Sequence, residues 1–179
     1  MPNDSRPTLT IKLKPHLQEF LRCKLNEEEL LATKRNFIGI TIRPFLEVGR
    51  DPLPPISRQD PLSVTFQLPN YNDLNVRNGT VFMSEDNQAH FERILDAHFK
   101  DLFFSFVDDK IRYLRKETTA KGAIKKSILQ FCSDYSISFN SITYDMLKKA
   151  YYRRSKMTLK PRKLFSSNLS LTCPLLFML

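Results

Sequence analysis

The sequence has no tryptophan and only four glycines in 179 residues. So little glycine argues against a Gly-rich phosphate loop and against a fold dense in tight turns. The three cysteines, Cys23, Cys132 and Cys173, are odd in number and far apart. Without a CxxC or a Cys/His cluster, neither a disulfide framework nor a structural zinc site is indicated, and reduced thiols are expected. The opening "MPNDSRPTLTIKLK" lacks the apolar core of a secretion signal. The uncharged stretch 164–179 is too short, and too interrupted by Ser, Asn and Pro, to span a bilayer. A cytoplasmic protein with no membrane partner is the expectation. Enzyme signatures are also missing: there is no GxSxG, phosphate loop or dinucleotide fingerprint. His90 and His98 stand eight apart with no third ligand, and His98, among Phe and Leu, reads as a hydrogen-bonded core histidine. Asp108 and Asp109, adjacent on a helix, point to different faces and are expected to pair with Lys110 or Arg112. No enzyme, metal or cofactor is implied.

Large apolar volume comes instead from 14 Phe and 6 Tyr, in a chain that is 41% hydrophobic and 26% charged. These are globular proportions, with length for one domain or two small ones. Charge is the most uneven property. Residues 1–109 hold 13 Lys/Arg against 16 Asp/Glu, a net of −3, whereas residues 110–163 hold 15 against 3, a net of +12. Such a block attracts polyanions and often marks nucleic-acid contact; its bland counterpart is a solvated surface.

Alternation in "TLTIKLK" (8–14) predicts a half-buried strand, and Pro15 fits the first turn of a following helix with Leu17, Phe20, Leu21 and Leu25 inward. "NEEELLATKR" either extends that helix or forms a separate turn, and Asn36 is placed to cap another, "FIGITIRPFLE", weakened by β-branched residues and Pro44. These make an N-terminal strand-helix-helix region over 1–48. Four prolines mark 49–61 as an extended connector. Short strands are expected in 62–69 and "TVFM", with a turn at Asn78–Gly79. A long helix over 84–115 then begins at Ser84 as N-cap. Its apolar positions, Phe91, Leu95, His98, Leu102, Phe106 and Ile111, widened by Ile94, Phe99, Phe103 and Val107, suit a core or a homodimer seam. The basic region 116–163 carries two more helices, 123–135 and 141–156, before the uncharged tail 164–179. The expected fold class is α+β, mostly helical.

The stretch "FCSDYSISFNSITYDML" (131–147) puts Phe131, Tyr135, Ile137, Ile142 and Met146 at apolar positions. Cys132 is small where two helices would cross, Ser136 stands where glycine often ends a first helix, and Ser138 or Asn140 can cap a second. Over about two dozen residues near 128–151, this resembles the helix-turn-helix superfamily of DNA-binding proteins, with Ser136 in place of the usual glycine and Phe139 in the turn. If the resemblance holds, Ile142, Met146 and Ala150 face inward. Asn140, Thr143, Tyr144 and Lys148 are then the base-contact candidates, and Lys125, Lys126, Lys149, Arg153, Arg154 and Lys156 the phosphate-contact candidates. It implies double-stranded DNA as partner, and a transcriptional regulator or an accessory factor of a mobile element or phage. The N-terminus is more weakly similar to ribbon-helix-helix proteins, with Thr8, Thr10, Lys12 and Lys14 as readers; a plain core strand with a polar outer face is the preferred reading there. The competing expectation for the whole chain is a non-enzymatic assembly protein, oligomerising through helix 84–115, with a basic partner-binding face.

Overall fold

Leu9 and Ile11 turn into the core from strand β1 (Thr8–Lys12), as a period of two demands, and Leu13 follows them inward. The computed structural model describes residues 7–25, 30–49, 62–69, 80–114 and 119–159. Pro15 opens helix α1 (Pro15–Leu25), where its missing N–H has no partner to lose, and Leu17, Phe20 and Leu21 are buried. Leu30–Leu31, which the sequence pattern assigns to a helix or turn, form the short strand β2. Long-range burial decides this: β2 lies parallel to β4 (Ser63–Gln67), and Leu30 is wholly inaccessible beside it.

Asn36 caps α2 (Phe37–Ile42), its side-chain oxygen accepting from the Gly39 N–H at 2.8 Å. A Cβ on Gly39 would stand 1.8 Å from the carbonyl oxygen of Thr33, so the approach of these two backbones requires glycine. Pro44 sits in the 3-10 turn Arg43–Phe45 that ends the helix, and strand β3 (Glu47–Gly49) follows. Nothing local marks β3 as a strand. Antiparallel pairing with β5 (Thr80–Phe82) makes it one.

β4 joins β1 antiparallel, placing Thr10 opposite Thr65 with hydroxyl oxygens 3.0 Å apart, and completes a three-stranded sheet ordered β1-β4-β2. β1 is therefore the half-buried strand that its alternation predicts. The segments flanking the Pro-rich stretch thus share one sheet and one core. The Asn78–Gly79 turn, most of the connector and the 164–179 tail lie outside the described residues.

Helix α3 (Glu85–Leu114) is the spine. At its start, the Ser84 hydroxyl and Asn87 Nδ2 donate to the Glu47 carboxylate at 2.5 and 2.8 Å, fastening β3 to the helix. The Ser84 bond is foremost in holding the Glu47 carboxyl below its ordinary range. Phe91 near the start meets Phe66 of the sheet edge-on at 6.2 Å, and Phe99 midway meets Phe20 of α1 at 5.3 Å. Phe103 and Phe106 then meet Phe131 of the next helix at 5.1 and 5.4 Å. The broad apolar stripe is thus covered by the chain's own sheet and helices. His98 is half-buried and stacks 4.0 Å from Phe37, so the buried histidine is His16 instead. The fold is α+β and mostly helical.

Candidate nucleic-acid interface

Helix α4 (Ala120–Asp134) starts three residues ahead of the expected position because Thr119 caps it, accepting from the Gly122 N–H at 3.2 Å. Ala123, Ser127, Ile128, Phe131 and Cys132 form its buried face against α3, which leaves Lys121, Lys125 and Lys126 exposed on the other side. Lys121 and Lys125 are four apart and so share one stripe. Lys121 was absent from the sequence-derived candidates although this spacing could have found it. Burial first, and then the nearby Glu19 charge, push the Cys132 thiol up to about 11, so this cysteine is packing material and not a nucleophile.

The end of α4 answers the missing glycine. Ser136 adopts the left-handed conformation, with φ 52°. The Ile137 N–H returns to the Cys132 carbonyl at 2.8 Å and the Ser136 N–H to the Ser133 carbonyl at 3.2 Å. Buried Ile137 completes the hydrophobic closure that usually accompanies this helix end. The chain then makes a second turn, in which the Ser138 carbonyl accepts from the Ser141 N–H at 3.2 Å. The connection between the two helices is therefore nine residues, 135–143, where a tight turn was expected.

Glu19 of α1 organises that second turn. Its carboxylate accepts from the Ser138 N–H at 2.9 Å, the Ser138 hydroxyl at 2.6 Å and the Ser141 hydroxyl at 2.5 Å. Burial pushes the Glu19 carboxyl up, but these donors outweigh it and hold the carboxyl below its ordinary value of 4.5. Stability from this contact is present above that value and is lost as pH falls through the lower folded-state value. Glu19→Gln should cost about 1–2 kcal/mol at pH 7. Urea midpoints taken from pH 7 to 2.5 should show wild type and variant converging at the acid end; parallel curves would contradict the assignment. No sequence signal links Glu19 to a turn some 120 residues away.

Helix α5 (Tyr144–Leu159) begins at Thr143, whose hydroxyl and carbonyl accept from the Met146 N–H at 3.3 and 3.1 Å. Thr143 thus supplies the cap expected of Ser138 or Asn140. The inward face is also rotated from the expected one. Met146 is 58% exposed and Leu147 is 3% exposed, with Tyr144 and Tyr151 packed beside it. Ile142, which precedes the helix, packs against the core as expected, but within α5 it is Tyr144, Leu147 and Tyr151 that do so, and Met146 does not.

No family model, curated protein or solved structure matches this chain.

The base-contact candidates therefore divide. Asn140 is exposed in the turn, and Thr143 is exposed but bound into the cap. Tyr144 is half-buried in the core edge, and Lys148 lies over its ring at 5.7 Å. Among the phosphate-contact candidates, Lys125, Lys126, Lys149 and Arg153 are exposed and take part in no hydrogen bond or ion pair among the described residues. Lys149 and Arg153 again stand four apart; with Lys148, Tyr152 and Asp145 they line a shallow depression of about 260 Å³. Arg154 is committed elsewhere: it reaches Asp108 at 3.1 Å and lies over the Phe104 ring at 4.8 Å. Asp108 is thus paired across to α5, while Asp109 meets Arg112 at 3.8 Å as the sequence suggested. The Lys156 side chain lies outside the described residues. Among the described residues no His/Cys/Asp/Glu group could hold a metal ion, and no helix is long and apolar enough to cross a membrane.

Proposed function

We propose that this chain is a non-enzymatic DNA-binding protein that holds duplex through the exposed cations of α4 and α5. The observation that carries this is the set Lys121, Lys125, Lys126, Lys149 and Arg153, exposed and unengaged among the described residues in a block of net charge +12. Cations already bound to carboxylates would have little to offer a phosphate; these have their full charge available. Since Thr143 and Tyr144 serve the cap and the core, phosphate contacts dominate, and Asn140 is the exposed reader at the turn. The role is a transcriptional regulator or an accessory factor of a mobile element or phage, as the helix-turn-helix resemblance implies.

The assembly reading has one observation in its favour. Between α3 and α4 lies a groove of about 380 Å³ with Leu114 and Leu129 in its lining and Lys110 and Lys126 beside them, a place for an acidic, partly apolar partner. A homodimer seam along α3 lacks this support, because the apolar face of α3 is covered within the chain.

Titration of duplex, single-stranded DNA and RNA over 50–200 mM salt separates the readings. Contact with about four phosphates gives a duplex affinity that falls roughly a hundredfold over that range. An absence of affinity for any of the three at 50 mM would overturn the DNA reading, and preference for a single strand would transfer it to that partner.

A further inference from the structure

Removing an acid from a DNA-binding surface ordinarily tightens binding, since a carboxylate repels phosphate. The geometry points to the opposite behaviour at Asp108. We propose that Asp108 is a positioning residue for α5, and that Arg154 works as its partner and not as a phosphate ligand. The inference rests on the reading that the outer face of α5 meets DNA.

Three contacts converge there. The Asp108 Oδ1 accepts from the Tyr151 hydroxyl at 2.8 Å, and Oδ2 accepts from Arg154 Nη1 at 3.1 Å. The Arg154 guanidinium also lies 4.8 Å over Phe104, one turn earlier on α3. A single carboxylate on α3 thus grips two residues three apart on α5, the spacing that puts them on one helix face. Lys149 and Arg153 belong to another face of the helix. Fixing the rotation of α5 by Tyr151 and Arg154 therefore fixes where those two cations point. Tyr144 and Leu147 pack the first turn of α5 against the core, and the Asp108 contacts hold the turns that follow in the same rotation. The sequence counts Arg154 among the phosphate-contact candidates and pairs Asp108 with Lys110 or Arg112; the structure pairs Asp108 and Arg154 with each other.

Duplex affinity at two salt concentrations, for Asp108→Asn, Arg154→Lys, the double variant and Tyr151→Phe, tests this. Asp108→Asn and Arg154→Lys should each weaken binding about three- to tenfold, and Tyr151→Phe less, all with the salt slope of wild type. The double variant should bind no worse than the weaker single, since both remove one clamp. Far-UV circular dichroism checks that each variant is folded. Should Asp108→Asn fail to fold, Tyr151→Phe decides, as it keeps the ring and loses only the donor. Tighter or unchanged binding by Asp108→Asn, a shallower salt slope in an Arg154→Ala control, or additive losses would overturn the proposal while leaving DNA binding intact. A wild-type chain that binds no duplex at 50 mM salt would overturn both.

Discussion

Phe131→Ala is expected to lower the unfolding free energy by about 3–5 kcal/mol, with a melting temperature some 10 °C lower. The ring is fully buried and lies within 6 Å of four others: Phe99 at 5.7 Å, Phe103 at 5.1 Å, Phe106 at 5.4 Å and Tyr135 at 4.6 Å; Tyr135 in turn lies 5.4 Å from Phe20 of α1. It is the point where α3, α4 and the α1 side of the core meet. Alanine there removes most of a phenyl ring's contacts and leaves a void that three helices cannot close without moving. Met146→Ala provides the contrast. The side chain is 58% exposed, and its loss should change stability by less than about 0.5 kcal/mol. Thermal and urea unfolding monitored by circular dichroism measure both. A large cost at Met146 would show that α5 presents its other apolar stripe to the core, with Leu147 outward.

That pair of residues shows where sequence reasoning stops. Helical spacing identified α5 as amphipathic, but Ile142-Met146-Ala150 and Tyr144-Leu147-Tyr151 satisfy the same period. The second is the one that packs against the core, and its Tyr151, with Arg154, meets Asp108 and Phe104, more than forty residues away. β2 and β3 were illegible for the same reason: two or three residues carry no period, and pairing with β4 and β5 defines them. Features set by neighbouring residues were legible, including β1, the Asn36 cap, the extent of α3 and the special backbone at Ser136. Ser136 is instructive because serine has no preference for positive φ. Its place in the pattern, where glycine often ends a first helix, pointed to the helix end, and the Ile137 N–H bond to the Cys132 carbonyl closes it. For the candidate interface, the basic block was visible as net charge, yet which cations are available was not. By sequence Arg154 is a phosphate-contact candidate like Lys149 and Arg153, and only the Phe104 ring and Asp108 beside it set it apart, as the Tyr144 ring does for the base-contact candidate Lys148.

Replacing Lys125, Lys126, Lys149 and Arg153 together by alanine should therefore reduce duplex affinity at 50 mM salt by about a hundredfold or more and flatten its salt dependence toward zero. Each contacted phosphate contributes close to one unit to the slope of log affinity against log salt, so four losses remove most of a slope near −4. The fold should survive, since all four side chains are exposed and have no partner among the described residues. Bulk charge is the rival explanation, because the change takes the chain from a net +9 to +5. A second set, Arg22, Lys34, Arg35 and Arg43, is also exposed and lies in the slightly acidic half. Its replacement by alanine makes the same change in net charge. If binding is a property of α4 and α5, this set should leave the slope near −4 and alter affinity only a few-fold. If net charge alone attracts DNA, both sets should weaken binding equally, and the interface assigned to α4 and α5 would be wrong. Electrophoretic shifts or fluorescence anisotropy on one labelled duplex, at four salt concentrations, distinguish these outcomes.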